Sequence, residues 1–129
     1  MRPHLLLACC LTALAGCSQG SSFSQPKATA FHEGTCRTVA TQVLEIGRDA
    51  RKLGTTASPP ADVRDRLKQS QEALIAIQPT ADPAIVAPLA KLVVSIGLMR
   101  LRSDGNTYAP DLGTAVSQAY DAVVAACTS

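Results

Sequence analysis

From Thr35 onward the chain spaces its apolar residues by alternating gaps of three and four, and it repeats that rhythm four times. Cys36, Val39, Val43, Ile46, Ala50 and Leu53 carry it first. Val63, Leu67, Leu74 and Ile77 carry it next, with Ser70 at the intermediate position. Ile85, Leu89, Leu92, Ile96 and Met99 follow, flanked by Val86, Val93 and Leu98. Val116, Tyr120, Val123 and Cys127 complete the set, with Leu112 one turn earlier. An α-helix turns once per ~3.6 residues, so each set lies on one helical face. Four such faces bury themselves best against one another, which predicts an all-α domain.

Start and stop residues agree with the rhythm. Gly54 ends the first helix, and Ser58-Pro59 is suited to cap and open the second. Asp82-Pro83 is a strong start for the third, while Arg100, Arg102 and Gly105 mark its end. Pro110 opens the fourth, although Ala109 before it is a poor cap. Pro88 is discordant: it removes a backbone bond, so the third helix is expected to kink there or to start nearer Ala87. Ile85 to Leu101 is mostly apolar, but Lys91 inside it makes a bundle helix a better reading than a membrane span.

The expected connections are short, which forces antiparallel neighbours and an up-down-up-down four-helix bundle. That topology brings the start of the first helix and the end of the fourth to one end. Cys36 and Cys127 sit there, each in phase with its stripe, and are expected to form a disulfide. Closing a loop of that length stabilises the fold by roughly 4–5 kcal/mol in the chain-entropy model. Scarce aromatics (Phe23, Phe31, Tyr108, Tyr120 and no Trp) leave the core to Ala, Val, Leu and Ile, which suits close-packed helices.

The N-terminus has a different character. Arg2 precedes an apolar run from Leu5 to Leu14, too short for the roughly 20 residues of a membrane span but right for a signal-peptide core. Leu14-Ala15-Gly16-Cys17 closes that run, and the polar Ser18-Gln19-Gly20-Ser21-Ser22 follows. This order resembles the lipobox of bacterial lipoprotein signal peptides. The resemblance implies that residues 1–16 are removed and that Cys17 carries a diacylglyceryl group as the first mature residue. It also resolves an odd count of five cysteines: Cys9 and Cys10 leave with the signal, Cys17 takes lipid, and Cys36 and Cys127 remain to pair. Two acyl chains hold stably where one binds marginally, so the membrane itself becomes a partner on the extracytoplasmic face. Residues 17–33 read as the lipidated Cys and a flexible tether, and residues 34–129 as the bundle. Phe23 and Phe31 are unusual in a tether, and one or both are expected to fold back on the domain. Beyond the lipobox, the chain is similar to the small helical lipoproteins of high-GC Gram-positive bacteria, a likeness that implies no activity.

Little in the sequence suggests catalysis. With Arg2 removed, eleven Lys and Arg face ten Asp and Glu, which gives no bulk charge to attract nucleic acid or another polyanion. His32 is the one histidine after the leader and falls in the tether. No cluster has metal-ligand spacing, and Met99, a conceivable haem ligand, is in phase with the core. Ser103 to Tyr108 lacks the acidic ladder and closing Glu of a calcium loop, and reads as a turn using Gly105 and Asn106 at positive φ. No cofactor is expected. Charge patterning points instead to the end of the bundle away from the cysteines. Asp62–Arg66 and Asp49–Lys52 are spaced as ion pairs there. Arg51, Lys52, Arg64 and Arg102, with Tyr108 as an aromatic anchor, form a candidate contact surface for an envelope protein. A small molecule or lipid held between the helices is the alternative.

Overall fold

A computed structural model describes residues 24–129. It contains α1 (Thr35–Leu53), α2 (Ala61–Ile77), α3 (Pro83–Asp104) and α4 (Pro110–Thr128), with 3-10 turns at Ala28–Ala30 and Gln78–Thr80. Each helix packs chiefly on two others, in the closed order α1, α2, α3, α4 and back to α1. This is the up-down-up-down antiparallel bundle that short connections impose. The four predicted stripes face its axis. Val39, Val43, Ile46 and Leu53 of α1, Leu74 of α2, Leu89, Leu92, Ile96 and Met99 of α3, and Val116 and Val123 of α4 are completely buried. Cys36 and Cys127 are bonded across one end, their Cα atoms 5.3 Å apart.

Small residues let the helices approach. Tyr120 of α4 lies on Gly47 of α1, where a Cβ would come within 2.5 Å of the phenol ring. Gly113 of α4 meets Leu53 of α1 in the same way, a Cβ there lying 2.5 Å from that of Leu53. The two glycines thus seat one α1–α4 seam at both the middle and the far end. By length and composition α3 is apolar enough to cross a membrane. Its Ile85, Leu89, Leu92, Ile96 and Met99 are nevertheless buried among the other helices.

Several boundaries depart from expectation. α2 opens at Ala61 with Pro60 as its cap residue, not at Ser58-Pro59. Pro59 is instead buried within the connection. α3 starts at Pro83 and continues through Pro88, so the late start at Ala87 does not occur. Pro88 lies in the second turn, where it forfeits the bond to the Ala84 carbonyl and crowds that oxygen, in a helix that packs on both α2 and α4. After α3 only Asn106 takes positive φ, at 55°, while Gly105 stays at −85°.

Asp82 caps a helix, but not its own. Its Oδ2 accepts from the Thr35 N–H at the start of α1 (3.1 Å), and Thr35 Oγ1 accepts from the Asp82 N–H (2.8 Å). Two helix N-termini thereby satisfy one another's orphan donors. Gly34 just before α1 has φ 86°, and a Cβ there would lie 2.8 Å from Asp82 Oδ2. Only glycine meets both conditions.

Ser24 to Glu33, expected as the later part of the tether, is bound to the bundle. Phe31 is 1% exposed and joins the core, as one of the two tether phenylalanines was expected to do. Arg37 of α1 donates to the carbonyls of Thr29 and Phe31, and the His32 N–H donates to the Cys127 carbonyl (2.8 Å). Gln25 Nε2 donates to the Leu44 carbonyl (2.7 Å) and to the Tyr120 hydroxyl (3.3 Å). The chain therefore runs along the α1–α4 seam from its middle to the disulfide end. Cys17 and Phe23 lie outside the described residues.

Candidate functional site

The far end of the bundle gathers the end of α1, the start of α2, the end of α3 and the start of α4. Tyr108, expected there as an aromatic anchor for a partner, is turned partly inward. Its ring is half-buried and its hydroxyl donates to the Leu53 carbonyl at the last turn of α1. Helix ends leave such carbonyls unpaired, so Tyr108 acts as a pin joining the α3–α4 connection to α1. Burial raises its phenol pKa above the ordinary 10.0, against a hydrogen bond with Thr56 that pulls the other way. The sequence marked an aromatic among charges but not which way it would turn.

The cations at this end differ in how they are held. Arg51, Lys52 and Arg102 are exposed, and Arg51 lies close enough to the Tyr120 phenol for its charge to act on it. Arg64 is paired with Asp104 at 3.2 Å. Together with Asp65, Lys68 and Arg100 they line a groove of about 220 Å³ between α2 and α3. Arg64 Nε is buried there without a hydrogen-bond partner among the described residues. Arg100 is committed inward: it donates to Gln71 Oε1 (2.6 Å), and Gln71 Nε2 donates to the Val93 carbonyl (3.0 Å).

On the α1–α2 side, Asp49 pairs with Arg66 of α2 and not with Lys52. Both Asp49 oxygens accept from Arg66, at 2.9 and 3.0 Å, and the Asp49 side chain is only 7% exposed. A guanidinium presents a planar fork that a flexible Lys ammonium cannot match. Arg66 also holds Asp62 at 2.9 Å, the predicted pair. That hydrogen bond is the main reason the Asp62 carboxyl titrates below its ordinary value of 3.8.

The most uneven feature of the surface was not anticipated. Among the described residues five large apolar side chains are exposed, Ile75 of α2 and Val86, Val94, Leu98 and Leu101 of α3. Val94 and Leu101 are about two-thirds exposed, at 67% and 68%. Three of the five, Val94, Leu98 and Leu101, continue from Ala87 and Ala90 as a second stripe on α3, whose gaps again run in threes and fours. It lies opposite the core stripe of the same helix. The signal was present in the sequence as a second phase of the same periodicity, hidden because α3 is apolar nearly all round.

Among the described residues, no group of three or more His, Cys, Asp or Glu is arranged to hold a metal ion. His32 is exposed, with Nε2 2.7 Å from the Ser129 carbonyl. No protein-family model, curated protein or solved structure matches this chain.

Proposed function

We propose that this protein is a lipid-anchored, non-enzymatic docking module of the bacterial cell envelope, held to the membrane through Cys17. The lipobox-like run Leu14 to Cys17 supports the anchor. The observation that carries the docking role is the confinement of the five exposed large hydrophobics to α3 and the neighbouring edge of α2. Contiguous exposed apolar surface on a small folded domain marks a place where something binds. Arg51 and Lys52 supply a separate charged rim suited to an envelope protein, in place of the Tyr108-centred tip.

Two measurements test this reading. Mass spectrometry of protein from cell membranes is expected to find a diacylglyceryl adduct at Cys17 as the first residue, lost in Cys17→Ser. An unmodified mature terminus at another residue rules out the anchor. Photo-crosslinkers placed at Val94 and Leu101 in intact cells are expected to give adducts that one at Thr41 of α1 does not. Equal labelling at all three positions defeats the docking role.

A further inference from the structure

We infer that the outer face of α3 lies on an anionic lipid surface, so that the bundle rests on its side against the membrane. This deepens the docking proposal and rests on it. The stripe from Ala87 to Leu101 is continuous and entirely aliphatic. At a rise of ~1.5 Å per residue, it presents an apolar edge roughly 20 Å long.

The charges around that edge decide among its possible occupants. From Pro83 to Ser103, α3 has no acidic residue; its charges are Lys91, Arg100 and Arg102. Arg100 is engaged with Gln71, whereas Lys91 and Arg102 are exposed on the same helix as the stripe. Long cationic side chains flanking aliphatic residues are the pattern of a helix lying in a bilayer interface, stems against apolar matter and heads among phosphates. A second copy of this chain would set Lys91 and Arg102 against their own kind. Asp104, the acid that ends the helix, is already held by Arg64. A protein partner is less well served too, because the stripe offers none of the Trp or Tyr that anchor protein interfaces.

Chain geometry permits the arrangement. Gln25, next to the first described residue, lies beside the α1–α4 seam. The seven residues from Cys17 to Phe23 reach at most ~23–25 Å. Helices are ~10–12 Å across, so a fully extended segment of this length is long enough to span from the seam past α4 to the outer side of α3.

The absence of Trp makes the test direct. Two single variants, Val94→Trp and Thr41→Trp, are purified as the full lipidated chain and placed in vesicles of phosphatidylcholine, with or without phosphatidylglycerol. Helix content is checked by circular dichroism. With phosphatidylglycerol present, the indole emission of Val94→Trp is expected to shift to the blue and to be quenched by nitroxide lipids labelled near the headgroup. The indole of Thr41→Trp, across the bundle, should stay unshifted and unquenched. Removing Lys91 and Arg102 together (Lys91→Gln, Arg102→Gln) should lower the equilibrium constant for the α3–lipid contact, each charge by roughly five-fold. An unquenched indole in Val94→Trp overturns the inference, whether its emission stays red or turns blue with a doubled mass, the mark of a second copy. Equal quenching in purely zwitterionic vesicles also overturns it. The mass of the Cys17 adduct is measured on the same samples, so loss of the anchor and loss of the α3 contact are told apart.

Discussion

Gly113 offers the sharpest test of how the helices are seated. In an unconstrained helix, Gly→Ala gains about 1 kcal/mol from backbone entropy. At Gly113 the new methyl would lie 2.5 Å from Leu53 Cβ, 2.7 Å from the Leu53 carbonyl carbon and 2.8 Å from the Tyr108 hydroxyl. Carbon atoms pack best at ~3.5–4.0 Å, so α4 must move away from α1 by on the order of 1 Å. Overpacking of this kind costs about 1–3 kcal/mol. Displacing Tyr108 from the Leu53 carbonyl forfeits a further ~0.5–1.5 kcal/mol. Gly113→Ala is therefore expected to destabilise the fold by about 1–3 kcal/mol net, despite its better helix propensity. At about 4–8 °C per kcal/mol, the melting temperature should fall by roughly 5–20 °C. Urea and thermal unfolding followed by far-ultraviolet circular dichroism measure both. Gly54→Ala is the matched control, because its φ is −69° and the nearest atom a Cβ would meet is Thr114 Oγ1 at 3.6 Å, an ordinary contact. It should leave stability unchanged or raise it by up to about 1 kcal/mol. A Gly113→Ala variant as stable as the parent, or one that moves with Gly54→Ala, would refute the seating argument.

Replacing Cys36 and Cys127 together by Ala should lower stability by about 4–5 kcal/mol, because the bridge closes a separation of 91 residues; a loss under ~1 kcal/mol in urea unfolding would show the loop is already constrained without it. Burial raises the phenol pKa of both Tyr108 and Tyr120 above the ordinary 10.0. Their contribution to stability is thus intact below pH 10 and lost as pH climbs through the raised values. Absorbance near 295 nm, clean in a chain with two Tyr and no Trp, should show tyrosinate forming at higher pH in the folded than in the unfolded protein. Thr35→Val and Asp82→Ala should each cost about 0.5–2 kcal/mol as lost caps. In the double variant the losses should add to less than their sum, because the two residues cap each other, and strictly additive losses would mean they act separately.

The sequence alone determined what depends on periodicity and chain connection. Four stripes at helical spacing named the core, and short connections set the topology. Topology in turn placed Cys36 beside Cys127, and each of these is a local signal repeated along the chain. The tertiary structure decided which of two competing partners a side chain takes. Asp49 had Lys52 one turn away, yet it binds Arg66, because α2 brings a bidentate donor to a nearly buried carboxylate. Asp82 was legible as a cap, but its carboxylate reaches α1, since the bundle end sets Gly34 and Thr35 against it. Tyr108 was legible as an aromatic among charges, and only the space above Gly113 turns it inward to Leu53. The outer stripe of α3 was written in the sequence as one phase of two, on a helix with few polar residues. Which phase faces the core depends on how α2 and α4 flank that helix, and so the face left for a partner emerges only when the bundle closes.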